Sequence, residues 1–415
     1  MVKIHRRTLN WGLLGGVLTA FFPRESCAEK RPRADKVLWG GLGYSVANLD
    51  IQKRFPFISK AIEQISFSKL AGNFTNRLAT SYPGGVVEDD NWFDGGSDPM
   101  LLFVVSLDYE QVIMVPNDGG AGDFQLSFVY ALSQVFYLDF SASGSAGDLR
   151  VLYSFPFRVQ SGETARPKNA SDQVQNVQKL LLQVDNSLVN VFSKRVATKK
   201  FREGIIPKRL KVRSVNLTPE STALFSSLGI DGVMDKEFFG QAFTASLAEQ
   251  GDLSVLPFFQ NDTISALGNR FKNAPRIHGI FERYSQDDQN DFVVDLTVFR
   301  SLRQSNGGNV ANVLYARGLS VFVKVTNLSR NQVVFEKKIL LIENNELPRA
   351  MFDRLKDYDL RYMVQIAIKL FDNFVRGVMK DDSAAIKMVG LDPAKDMVDV
   401  KALRDTLKVC QYPSG

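Results

Sequence analysis

Phe103-Val104-Val105-Ser106-Leu107 and Phe292-Val293-Val294-Asp295-Leu296 are near-copies of one apolar run, one in each half of the chain. Each has a strand's length and apolar content, bounded by Gly, Asp and Asn. Turn residues follow both, Pro116-Asn117-Asp118-Gly119-Gly120 after the first and Ser305-Asn306-Gly307-Gly308-Asn309 after the second. Their glycines supply the positive φ that hairpin connections need.

The correspondence extends outward. Leu132–Leu138 stands against Leu319–Val325, and Leu149–Phe155 against Gln332–Lys338, each pair reading as a further strand. A helical stripe closes each block: Leu181, Val184, Leu188, Val191 and Phe192 in the first, Met363, Ile366, Leu370, Phe374 and Val378 in the second. One apolar stripe per helix must be buried, and a sheet is the available surface. Strand, turn, strand, turn, strand and helix recur in the same order, which predicts an internal duplication. The expected fold class is α+β, with two similar units in tandem, each a mainly antiparallel sheet packed by helices. The expected boundaries are 36–200 and 208–380, followed by a C-terminal helical tail, 381–415.

The front of each unit is consistent with this. Residues 36–47 read as a strand running into a tight turn at Gly40-Gly41-Leu42-Gly43, then a helical stretch near Phe55–Ile65. In the second half, Leu210–Leu217 alternates cleanly as a strand, and Ser221–Leu228 and Asp235–Gln250 read as helices, the latter with Asp235 as N-cap. Leu253–Phe258 is a short strand stopped by Pro257. Asn73–Pro99, rich in Gly, Asp, Asn and Ser, reads as a long exposed loop. Asp396–Val409 is a last amphipathic helix.

The N-terminus carries an address. Lys3, His5, Arg6 and Arg7 precede a short, glycine-broken apolar stretch, and Ser26 and Ala28 place small residues where signal peptidase cuts. Residues 1–28 are therefore expected to be a signal peptide, with a retained anchor helix as the alternative. Arg6-Arg7-Thr8-Leu9 resembles a twin-arginine signal, which leaves the export route open. The expected location is the periplasm.

Removing residues 1–28 lowers the formal net charge from +6 to +3. That argues against a nucleic-acid partner, which would need a concentrated basic stripe. The densest basic run, Lys194 to Lys211, lies between the expected units and reads as a solvated linker. Only Cys410 and His278 would remain after cleavage, so no internal disulfide forms and no histidine-based metal site can be built.

No catalytic residue, metal site or cofactor is expected. Glu88-Asp89-Asp90, Asp94 and Asp98 cluster in the Asn73–Pro99 stretch, and Asp287-Asp288 and Asp291 in the second half. Both groups read as solvated acids; for the first, a carboxylate hydrolase and an oxygen-ligand cation site such as Ca²⁺ are the competing readings. Trp92-Phe93 is the aromatic exception in a polar segment and is the candidate partner contact. The expected partners are other envelope proteins, with self-association open, and no integral membrane segment after signal cleavage.

Leu319–Asn327, Val333–Leu341 and the helix Leu360–Met379 carry a resemblance to a small α/β domain of bacterial envelopes. The order of elements resembles the N-terminal domain of the Tol-system protein TolB and the periplasmic domain of the curli secretion channel. The turn at Val325–Asn331 is similar to theirs but lacks the glycine. The resemblance implies no catalytic residues and suggests a scaffold or assembly component of a secretion or surface machine. A periplasmic hydrolase and a small-ligand binding protein are the alternatives.

Overall fold

The computed structural model describes residues 36–45, 51–82, 86–87, 99–115, 124–139, 148–161, 169–183, 185–197, 199–201, 207–258, 291–349 and 355–412. The expected signal at 1–28, Trp92, Phe93, the acids at 88–90, Asp94, Asp98, Asp287, Asp288, His278 and the turns at 116–120 and 141–147 lie outside these residues. All described residues belong to one compact unit, Arg33–Gly415.

The first half runs β1 (Lys36–Tyr44), α1 (Ile51–Arg54), α2 (Ile58–Ile65), α3 (Phe67–Ser81), β2 (Val86–Val87), β3 (Met100–Val115), β4 (Phe124–Asp139), β5 (Asp148–Gln160), α4 (Ala170–Leu182) and α5 (Leu188–Phe192), which ends in a π-helical turn at Ser193–Ala197. The second half runs β6 (Leu210–Leu217), α6 (Pro219–Leu228), α7 (Lys236–Gly251), β7 (Val255–Leu256), β8 (Phe292–Gly308), β9 (Asn312–Asn327), β10 (Gln332–Pro348) and α8 (Leu355–Lys380). Two tail helices follow, α9 (Ser383–Met388) and α10 (Met397–Lys408).

The two five-stranded sheets share one topology, β2-β1-β3-β4-β5 and β7-β6-β8-β9-β10. In each, the long strands pair antiparallel and the first strand runs parallel to both of its neighbours. Three register irregularities coincide as well, the further one between Ser305 and Gly308 of β8 having no counterpart among the described residues. An extra residue sits in the first strand at Gly40 and Arg213, in the third at Asp108 and Phe299, and in the last at Leu152 and Val334. Bulges are specific local features, so three at matching places make the two sheets copies of one design. Pairing also corrects the sequence alignment: Val37 faces Leu101 as Leu210 faces Phe292, so Phe103 matches Val294 rather than Phe292. A slip of two residues leaves every side chain on its face, which is why the apolar pattern hides it.

Three local expectations are corrected. Gly40–Gly43 is not a turn: the strand continues to Tyr44, and Gly40 occupies the bulge. A Cβ there would lie 2.7 Å from Leu102, 2.8 Å from Val104 and 3.0 Å from the Phe103 carbonyl. The Asn73–Pro99 stretch is not all loop, because α3 runs to Ser81 with Leu70, Phe74 and Leu78 buried on one stripe. Phe74 stacks on Trp39 of β1 with centroids 5.6 Å apart, and Phe192 of α5 meets Phe74 edge-on at 5.0 Å. The closing helix of the first unit is broken between Leu182 and Leu188, whereas α8 is continuous over 26 residues.

The two units do not sit as separate beads. Helix α7 is buried almost all round (Phe238, Phe239, Gly240, Ala242, Phe243, Ala245, Leu247 and Ala248) and packs against β5, β6 and α8. A helix apolar on every side belongs in the middle of a core. The sheets also meet edge to edge: the Ser154 N–H of β5 donates to Ser254 Oγ at 3.1 Å, and its hydroxyl to the Val255 carbonyl of β7 at 2.7 Å. The C-terminal tail covers part of the β10 edge. The Leu340 N–H donates to the Val389 carbonyl at 2.9 Å, and Lys337 Nζ lies 3.1 Å from Asp396 and 2.7 Å from Asp399. Where α8 meets α9, a Cβ on Gly377 would come within 2.7 Å of the Ile386 side chain and 3.0 Å of its backbone N. Gly377→Ala is therefore expected to destabilise by about 1–3 kcal/mol through overpacking, read as a lowered denaturant midpoint.

Both faces of the first sheet are buried. Phe103 and Val105 point to one side and Leu102 and Val104 to the other, and all four are at most 2% exposed. In the second sheet the inner face is closed by Val294, Leu296, Val323 and Val325, whereas the other face, buried at Val293 and Thr326, opens at Lys324, which is half-buried, and at Glu336, Phe299 and Phe322, which are exposed. Asp295 occupies the position of Val104, and that one exchange records the difference between a closed and an open face.

Candidate functional site

A seam of charged and phenolic side chains runs through the junction of the two units. At one end, Glu110 near the middle of β3 reaches the N-terminus of α2, where its Oε2 accepts the Phe57 N–H at 3.2 Å and the Ile58 N–H at 3.0 Å. Helix α2 has no capping side chain of its own, so this carboxylate, distant in sequence, satisfies its first donors. Asp108, in the β3 bulge, accepts from Ser106 Oγ at 2.9 Å. Burial pushes both Asp108 and Glu110 up to about 7, against the opposing pull of these hydrogen bonds. Arg54 of α1 pairs with Glu237 in the first turn of α7, joining the units at this end.

The seam continues through Tyr109 and Tyr130, whose rings meet at 5.7 Å, to Arg158 of β5. Arg158 Nη2 lies 3.3 Å from Glu249 of α7 and 3.1 Å from Asp372 of α8. The Ser246 hydroxyl also donates to Asp372, at 2.6 Å. Burial raises Glu249 above the usual carboxylate range, although the Arg158 guanidinium pulls the other way. Arg195, on the π-helical turn, donates to the Glu249 carbonyl at 3.1 Å. The seam opens to solvent in a cleft lined by Phe155, Arg158, Asn186, Lys194, Arg195 and Glu249.

This arrangement binds one unit to the other. The side chains of Arg158, Glu249 and Asp372 are 8%, 16% and 24% exposed, so their attraction is only partly screened. Arg158→Met would leave two half-buried carboxylates without their cation. It is expected to cost about 2–3 kcal/mol, below the full penalty for a dry pair because water reaches the acids; chemical denaturation reads it.

A second buried charge centre lies under the far end of the second sheet. Arg303 of β8 and Arg317 of β9 are directly opposed cross-strand neighbours. Asp359 of α8 bridges them, 3.0 Å from Arg303 Nε and 2.7 Å from Arg317 Nε. The Arg317 guanidinium also lies over the Tyr362 ring at 4.6 Å and the Tyr315 ring at 5.4 Å.

The basic run Lys194–Lys211 is corrected here. It is not a free linker: Lys199 pairs with Asp252 at 3.1 Å and Lys208 with Asp291 at 2.7 Å, and the Arg209 N–H donates to Asp291 Oδ2 at 2.9 Å. Of the acids named from the sequence, Asp291 is therefore a structural partner. Cys410 is buried, and burial pushes its thiol well above the usual range. Among the described residues, no group of three or more His, Cys, Asp or Glu side chains could hold a metal ion, and no helix is long and apolar enough to cross a membrane. Sequence reasoning missed the seam. Asp108 and Glu110 interrupting the apolar Ser106–Val115 run were its one visible trace.

No protein-family model and no curated protein matches this chain. Solved structures similar to part of it include a hypothetical protein from Chlamydia trachomatis, at 13% identity over 41% of this chain and 96% of that one, with a TM-score of 0.24. A lipoprotein from Neisseria meningitidis is similar at 12% identity over 38% and 99%, TM-score 0.19. A homologue of the neuraminyllactose-binding hemagglutinin from Helicobacter pylori is similar at 11% over 38% and 89%, TM-score 0.21. What the chain shares with these proteins is a loose α/β likeness.

Proposed function

We propose that this chain is an exported, envelope-side protein that works without catalysis, as a scaffold or assembly component of a secretion or surface machine. The observation that supports this best is the locked junction. Arg54 of the first unit pairs with Glu237 of the second, and Arg158 of the first with Glu249 and Asp372 of the second. These ion pairs hold two copies of one unit at a set relation, as a platform for other proteins requires. A hydrolase would instead need an acid pair facing a cleft, and at the junction cleft Glu249 is engaged by arginine.

In this reading residues 1–28 are a cleaved signal, the units span 36–200 and 208–380, and Trp92 and Phe93 form a partner contact. The resemblance to the TolB N-terminal and curli-channel periplasmic domains points the same way. The test is a photo-crosslinking amino acid at position 92 in the full-length protein, expressed in its own cells. The expected result is a periplasmic protein that begins at Glu29 and forms a discrete adduct with a different envelope protein. Retention in the cytoplasm, or the absence of any adduct, would overturn the reading.

A further inference from the structure

The open face of the second sheet carries a charge pattern that fits itself. Across the strands, Arg213 sits beside Asp295, Asp295 faces Lys324, and Lys324 faces Glu336. The row reads plus, minus, plus, minus from β6 to β10. Arg213 and Asp295 are hydrogen-bonded, and Lys324 and Glu336 lie 3.6 Å apart. The Lys324–Glu336 pair, 41% and 57% exposed, contributes little to stability, so folding does not explain that half of the row. One step along the strands, Phe299 of β8 and Phe322 of β9 meet edge to face at 5.2 Å while remaining 41% and 38% exposed. Two adjoining phenylalanines left in water on a sheet face are the usual sign of a contact surface.

We propose that this face binds a second copy of the chain, about a two-fold axis that runs parallel to the strands between β8 and β9. The charges select that axis. Rotation about it turns the sheet over and reverses the order of its strands, so Arg213 meets Glu336 of the partner subunit and Asp295 meets Lys324 of the partner subunit. The same rotation sets Phe322 against Phe299 of the partner subunit, and Phe299 against Phe322 of the partner subunit. An in-plane axis across the strands would instead lay each charge of the row on its own copy, plus on plus. The phenylalanines supply the apolar anchor, and the charge row fixes register and excludes the wrong axis. Strands β8, β9 and β10 are 17, 16 and 17 residues long. At ~3.4 Å per residue and ~4.8 Å between strands, they make a face roughly 50 Å by 15 Å. That approaches the ~800 Å² that each partner gives to a standard interface.

This inference needs only the purified full-length protein, so its failure is separate from that of the scaffold reading. Sedimentation equilibrium of the wild type from about 1 to 100 µM is expected to show a monomer–dimer equilibrium. Lys324→Glu places like charges across the axis twice in each dimer and should weaken association at least tenfold; Phe322→Glu should do the same. Asp295→Lys combined with Lys324→Glu turns the row into plus, plus, minus, minus, which is again self-complementary about the proposed axis and should restore association. Melting temperatures of the variants check that they fold. A wild type that stays monomeric over this range, or a dimer indifferent to both Lys324→Glu and Phe322→Glu, would overturn the proposal. So would failure of the double charge exchange to restore a dimer lost in Lys324→Glu.

Discussion

Asp359→Asn is expected to lower the folding stability of this protein by about 3–5 kcal/mol. Its carboxylate and the Arg317 side chain are both fully buried, and Arg303 is only 27% exposed. Two arginines directly opposite each other on neighbouring strands repel, and Asp359 is the anion between them. The amide keeps the shape but removes the charge, which strands a guanidinium in a dry site. Chemical denaturation should show the loss as a lowered midpoint with an unchanged slope. Replacing Arg317 with Met and Asp359 with Leu together should recover most of it, because apolar side chains of similar volume replace buried ion pairs at little cost. A double variant as unstable as Asp359→Asn would mean that packing, rather than charge, governs the site.

The second large effect is a dependence on pH of unusual sign for carboxylates. Asp108 and Glu110 titrate near 7 in the folded protein because they are buried, and near 4 when unfolded. Between those values the folded state holds protons that the unfolded state has released, so stability falls as pH rises. The contribution is complete below about pH 4 and is lost as pH passes through 7. Each group should remove about 2–3 kcal/mol between pH 5 and pH 8. Asp381, held low mainly by Arg404, and Asp396, held low mainly by the Asp392 N–H, act in the opposite direction but below pH 4, outside this window. Denaturation midpoints at pH 5 and pH 8 measure the slope, and Asp108→Asn combined with Glu110→Gln should reduce it, leaving the share of Glu249, Asp235 and Asp359, which burial also raises. A wild-type midpoint that rises across the interval would contradict the assignment.

The architecture was readable because the strands of both units are apolar runs in one order, punctuated by turn residues. Asp295 in place of Val104 even records in sequence which sheet has an open face. Fine register was not readable, since Gly40, Asp108 and Leu152 each add one residue to strands that are apolar on both faces, where no alternation exists to mark the shift. Helix α3 was missed although Leu70, Phe74 and Leu78 form a stripe at a spacing of four, because the surrounding Asn, Gly, Thr and Ser suggest a loop. The charged seam was out of reach for another reason. Arg158 meets Glu249 and Asp372 across 91 and 214 residues of chain, and no local pattern encodes a contact that long.

The placement of α7 bears on how the chain is made. This helix closes the core beside β5, yet it is synthesised after the whole first unit, and Asp372, which completes the Arg158 clamp, comes later still. An N-terminal half leaving the ribosome therefore holds an apolar strand edge and an unpaired arginine until most of the second half has followed. The chain should acquire its protease-resistant state in a single late step, without passing through a stable half-molecule.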